Sequence, residues 1–368
     1  MLRITHIVIM VFFVLAAKVS ADVTTSEIVY DPSVCQAQRN SGGPVEAAVQ
    51  AAQSAECLAI IAAYPRPDLE RIPEDKSTLR RSYWRLNTAG TNLYDAPGGQ
   101  LIGAIPAGFN FVQATDAQVE GWVQREGGEW LRSSDGKPEP PSNFVGFALP
   151  QDWQHPFAII VDKAGHFASS RPGVFGDKDS GFFARRHRLV NIFARAEDHM
   201  GKVWYLVGPQ QWIRQEWVAM FAPAPQPEGV TGRWVAVDLF EQTLIAYEDD
   251  RPVFATVVSS GLSEWPTVEG LFKVWARLRK DTMSGAAGQP DAYYVQNVPW
   301  VMYFKGGISL HGTYWHGDFG YRRSHGCVNL SISDARWIYD WMLEAEPDEE
   351  GELINTVYVF SSGKYANG

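Results

Sequence analysis

The chain has 368 residues, 45% hydrophobic and 20% charged, so it can bury a substantial core spread over two or three domains. A net charge of −10 with no long basic stretch excludes nucleic acid as a partner, because phosphate binding needs clustered Lys and Arg. Fourteen Trp, 33 Gly and 22 Pro point away from helix bundles and toward a mainly β chain of short strands and turns.

Residues 1–21 read as a signal peptide. Arg3 precedes an apolar run, Ile7 to Ala17, that is shorter than the roughly 20 residues a membrane span needs. Val19-Ser20-Ala21 then offers small residues before a cut at Asp22. This predicts export to the periplasm or cell wall; the alternative is an uncleaved N-terminal anchor. Residues 22–79 form a helical segment and linker, with helical composition from Val45 to Ala63 and prolines at 65, 67 and 73. Three cysteines in an exported chain leave one over. Cys35 and Cys57 flank the Ala-rich stretch and are expected to pair and staple a helical hairpin; the alternative is two buried thiols. Either way Cys327 is the free one, and a free thiol in an oxidising compartment suggests that its chemistry is used.

Short β-type runs fill 80–136 and 144–222, with turns at Pro97-Gly98-Gly99 and Pro106-Ala107-Gly108. Gly121-Trp122-Val123 and Trp130-Leu131 are echoed by Trp204-Tyr205-Leu206 and Trp212-Ile213. Both stretches resemble bacterial SH3-like modules. Exposed aromatics there can stack on glycan; the alternative is that these Trp residues fill small barrel cores. Pro-rich residues 223–231 form a linker. From 232 the pattern is β again: Trp234 to Leu239, Thr243 to Tyr247, a turn at Asp249-Asp250, then Pro252 to Val258. One clear helix is expected from Ser333 to Leu343, capped by Ser331 or Ser333, with Ala335, Ile338, Tyr339 and Met342 on one face.

The residues with chemical potential are Ser324-His325-Gly326-Cys327-Val328-Asn329 and His311. A thiol is a nucleophile only as thiolate, and a neighbouring imidazole can take its proton. His325 and His311 are the candidates. His311 stands where a strand gives way to a Gly-rich loop, a rigid place for a base. Gly326 lets a substrate carbonyl approach the backbone. His311, His316 and His325 with Asp318 can be drawn as a zinc site, but the spaced Cys or His pairs of such sites are missing; no metal or other cofactor is expected.

With this signature, with Gly312, the Val235 to Leu239 strand and the Pro266-Thr267…Gly270-Leu271-Phe272 turn, residues 232–361 resemble the L,D-transpeptidase catalytic domain, the YkuD-like family. The resemblance implies a β-rich fold acting on peptidoglycan stem peptides. It makes Cys327 the nucleophile and His311 the general base, with Gly312 orienting the His311 ring. His325, Gly326 and Cys327 would supply oxyanion N–H groups, and Ser324 and Asn329 would support the loop. Tyr314, Arg322 and Arg323, in the loop from His311 to Ser324, would bind substrate or support the site, the two arginines pairing with a stem carboxylate. Cys327 would attack the carbonyl of the third stem residue, typically a diamino acid, and an amine would resolve the thioester. Water as acceptor makes an L,D-carboxypeptidase and a protein amine makes an anchoring enzyme; a reading of another class is a non-catalytic wall-binding protein. Tyr293-Tyr294 belong to a segment that reads as a lid with hinges at Gly285 and Gly288. The sequence is silent on oligomeric state.

Overall fold

The computed structural model describes residues 32–36, 44–151, 153, 156–175, 180–345 and 355–364. The expected signal peptide lies outside them. The described chain is mainly β, as composition predicts, with α-helices Pro44–Ala52, Ala55–Ala63, Lys76–Leu79 and Ile332–Leu343.

Two sheets enclose the main core. One has six strands, in the order Gly270–Lys273, Thr356–Phe360, Arg233–Asp238, Thr243–Glu248, Arg251–Val257 and Phe147–Ala148. The Arg233–Asp238 strand is buried on both faces. Val235 and Val237 face the main core, whereas Trp234 and Ala236 face a second cluster with Phe147, Phe157 and Phe221. That double burial explains why the four central positions, Trp234 to Val237, are all apolar. The hairpin turn fits its sequence: Asp249 takes the left-handed conformation and its carboxylate accepts from Gly232 N–H at 2.7 Å.

The other sheet has eleven strands and runs across distant parts of the sequence. Seven of them, from Ser82–Leu86 to Gly136–Pro138, belong to the first β module. That module has its own small core of Leu86, Leu93, Ile105, Val112, Val123 and Leu131. Its Phe109–Val119 strand runs parallel to Tyr293–Lys305, pairing Phe109 with Tyr293 and Phe111 with Val295. Strands therefore pair across the Pro-rich 223–231 segment. Phe147–Ala148, within the stretch read as a second module, likewise joins the six-stranded sheet. In the 144–222 stretch Trp204 and Trp212 are buried, which is the core-filling alternative for those two residues.

The helix Ile332–Leu343 begins one residue before its expected start. Ser331 caps it, its hydroxyl accepting from Asp334 N–H at 3.1 Å, an arrangement worth about 1 kcal/mol. Ala335, Ile338, Tyr339 and Met342 all enter the main core. At the N-terminal end, Cys35 and Cys57 form a disulfide between a 3-10 turn and the second of two short helices. Cys327 is free.

A buried carboxyl joins the middle segment to the six-stranded sheet. Glu241 accepts from Tyr205 Oη at 3.0 Å and from Met220 N–H at 2.9 Å. Burial pushes it up from 4.5 to about 7. The folded state thus holds this proton more tightly than the unfolded state. Its stabilising contribution is complete below about pH 4.5 and is lost as pH rises toward 7, on the order of 3 kcal/mol. Glu241→Gln is expected to flatten the thermal-melting midpoint against pH across that window; a slope equal to that of the unmodified chain contradicts this.

Candidate active site

The strand Ile308–Gly312 alternates faces. Leu310 enters the core, while Ser309 and His311 share the opposite face. The strand Val328–Leu330 runs parallel beside it, pairing Leu310 with Val328 and His311 with Asn329. Cys327, one residue before this strand, is thereby brought next to Ser309, whose hydroxyl lies 3.7 Å from the thiol Sγ. Cys327 and His311 both line one cleft of about 860 Å³.

His311 is buried, and its Nδ1 lies 3.2 Å from the Gly312 carbonyl oxygen. With Nδ1–H donated there, Nε2 keeps its lone pair for a proton. Burial holds the imidazole down at about 4, so it is neutral at ordinary pH. Gly312 is needed for packing as well: a Cβ there would stand 3.0 Å from Pro299 Cγ and 3.1 Å from its carbonyl oxygen. Burial raises the Cys327 thiol above its ordinary 9.0, opposed by hydrogen bonds from Ser309. The resting pair is thus neutral thiol and neutral imidazole. Ser309→Ala removes one of those opposing contacts and is expected to slow thiol alkylation severalfold at pH 8, measured with iodoacetamide. An unchanged rate contradicts a role for the hydroxyl.

The motif loop is held from below. Gly326 has φ +111°, a conformation that favours glycine. Its carbonyl accepts from Thr267 Oγ1 at 2.8 Å, and Thr267 Oγ1 in turn accepts from Gly261 N–H at 2.9 Å. Ser324 donates to the Cys327 carbonyl and accepts from Gly326 N–H at 3.1 Å. This corrects one expectation: the Gly326 N–H is engaged inside the loop by Ser324 and is not presented as an oxyanion donor.

The remaining predicted residues divide. His325 is on the cleft wall, its ring 4.3 Å from Trp265 and 5.0 Å from Tyr293, with Nε2 3.9 Å from Asp291. Asn329 also lines the cleft, and its backbone exchanges two hydrogen bonds with Ser259, each of 2.9 Å. Its side-chain amide meets the half-buried His316 ring at 2.9 Å. Arg323 lines the cleft but is paired with Asp318 at 3.2 Å; Arg322 is not among the lining residues. Tyr314 is a correction. It is buried in the core, stacked on Tyr83 at 4.0 Å, with its hydroxyl donating to Gln296 O at 2.6 Å. An aromatic residue in a Gly-rich loop reads as a surface contact until its stacking partner, more than 200 positions away, is known.

The segment expected to act as a lid is a hairpin of Ala276–Gly285 and Tyr293–Lys305. Its inner strand is tied to the first β module, with Phe109 N–H donating to Ala292 O at 2.8 Å. The Tyr293 ring packs against Gly285, where a Cβ would stand 2.6 Å from it, so close approach is what requires that glycine.

Sequence reasoning missed Ser309, Lys163 and Arg186, and placed Thr267 in a turn without its hydrogen bond to the Gly326 carbonyl. Lys163 pairs with Asp318 and Arg186 donates to Gly317 O, so the middle segment grips the loop between His311 and Ser324. The two-residue spacing of Ser309 and His311 on one strand is the signal that could have found the first.

Cys327, one residue before the Val328–Leu330 strand, and a neutral, oriented His311 on the parallel strand beside it line one cleft, an arrangement able to carry cysteine acyl transfer. Residues 232–358 match the family model YkuD, the L,D-transpeptidase catalytic domain. Over 133 residues the chain is 29% identical to L,D-transpeptidase 2 of Mycobacterium tuberculosis, covering 31% of this chain and 32% of that protein. Among solved structures, it is similar to an L,D-transpeptidase from Stackebrandtia nassauensis at 30% identity, over 38% of this chain and 60% of that one, with TM-score 0.28. It is also similar to the catalytic domain of the Enterococcus faecium L,D-transpeptidase at 25% identity, over 36% of this chain and 99% of that one, with TM-score 0.30. The chain thus spans about a third of the curated relative and three fifths of the Stackebrandtia chain.

Proposed function

We propose that this protein is an exported L,D-transpeptidase that cross-links peptidoglycan stem peptides through a Cys327 thioester. The observation that carries the reading is the placement of Cys327 and a neutral His311 at the same cleft, inside a segment matching that catalytic-domain family. In the first step His311 Nε2 takes the thiol proton as Sγ attacks the carbonyl of the third stem residue. The C–S bond forms, the amide C–N bond breaks, and the proton passes from His311 to the amine of the departing D-alanine. In the second step an amine of another stem attacks the thioester. It gives a proton to His311, the C–S bond breaks, and the thiol is restored. The backbone N–H groups of His325 and Cys327 are the remaining oxyanion donors once Gly326 N–H is committed to Ser324.

Purified protein incubated with disaccharide tetrapeptide tests the acceptor. Cross-linked dimer is the expected product. Tripeptide alone would mean that water is the acceptor and that the protein is an L,D-carboxypeptidase.

A further inference from the structure

The strand Ser82–Leu86 of the first β module has two faces. Trp84 and Leu86 pack on the module's own core, whereas Tyr83 enters the core of the catalytic domain. Arg85, two residues on from Tyr83, shares that second face and lines the cleft that holds Cys327. Its guanidinium lies 5.8 Å from the Phe109 ring centroid and 5.9 Å from that of Phe111. Among the described residues it has no carboxylate partner.

The strand Gly136–Pro138 runs antiparallel beside it, with Lys137 opposite Arg85. The next residue but one, Glu139, donates its N–H to Tyr83 O at 2.8 Å and also lines the cleft. Arg85 and Glu139 are therefore diagonal neighbours on one face, roughly 7–8 Å apart at the backbone. Glu139 likewise has no cationic partner among the described residues. The cleft's other charges are engaged: Asp318 with Lys163 and Arg323, and Asp291 facing His325. Among the charged residues lining the cleft, Arg85 and Glu139, of opposite sign and on one face, remain without an ion-pair partner, the pattern that one group carrying both an ammonium and a carboxylate would answer.

We propose that Arg85 and Glu139 form a subsite for the zwitterionic end of a diamino acid in the stem peptide, Arg85 taking the carboxylate and Glu139 the ammonium. The first β module is then part of the substrate site. This inference rests on the acyl-transfer reading above and names the side chain which that reaction selects.

Two tetrapeptide donors separate the charges: one with 2,6-diaminopimelate at position three and one with lysine, which ends in an ammonium alone. Arg85→Gln is expected to raise KM about tenfold or more for the diaminopimelate donor and to shift the lysine donor far less. Arg85→Lys should recover part of the loss. Glu139→Gln should raise KM for both donors. Thermal melts of each variant check folding. An Arg85→Gln that shifts both donors alike, or neither, overturns the assignment of Arg85; a Glu139→Gln with no effect overturns that of Glu139. If the unmodified protein forms no acyl-enzyme with either donor by intact mass, the acyl-transfer reading itself fails, which is a different result from normal acylation without charge discrimination.

Discussion

Cys327→Ala is expected to lower transpeptidation by about 10⁴-fold or more, to background, while the protein melts close to its unmodified temperature. The size of the loss follows from the absence of a substitute. Cys35 and Cys57 are held in a disulfide, so Cys327 is the free thiol among the described residues. Fold stability has little at stake, because the contacts of the thiol are Ser309 and the Gly307 carbonyl, each at 3.7 Å, and not core packing. Cys327→Ser sharpens the test. A serine hydroxyl is far less acidic than a thiol, and an imidazole held at about 4 is a weak base for it, so serine should not rescue turnover. Substantial activity in either variant contradicts a Cys327 nucleophile.

His311→Gln is expected to cost about 10²–10⁴-fold in kcat/KM, the range of a general base. The pH profile carries a second signature. Burial places the His311 imidazole at about 4, below its ordinary 6.5. The base is lost only when pH falls through the lower value, so the acid limb of kcat/KM should lie near pH 4. A limb near 6.5 would mean that His311 is solvated in the working enzyme. The Cys327 thiol, raised by burial, should show alkylation that climbs toward and beyond pH 9. A rate already at its plateau at pH 6 would indicate a preformed thiolate–imidazolium pair, contrary to the neutral resting pair described above.

Much of the site was legible in the sequence because it is local. The motif at 324–329 occupies one loop and the start of one strand. His311 lies near the end of a short strand, Ile308–Gly312, and the parity of three cysteines singles out Cys327. The helix beginning at Ile332 shows its cap and its apolar face in consecutive residues. What was not legible depends on pairing between distant segments. No local period announces that Phe109 will lie beside Tyr293, so the tie between the first β module and the lid cannot be read from either strand. The same holds for Lys163 and Arg186, which meet the catalytic loop from another part of the chain, and for Tyr314, hidden by its stack on Tyr83. The consequence reaches the chemistry. Arg322 and Arg323 looked like carboxylate ligands by composition, yet Arg323 is tied to Asp318, and the unpaired guanidinium of the cleft is Arg85, more than 200 residues upstream.

On the proposed mechanism Cys327 accepts an acyl group from a stem peptide. Intact-mass analysis after brief mixing with a tetrapeptide donor, followed by peptide mapping, tests it most directly. A mass increase equal to the acyl tripeptide portion, located on Cys327 and absent from Cys327→Ala, is expected. A folded protein that stays at its starting mass, or an adduct that persists in Cys327→Ala, would contradict it.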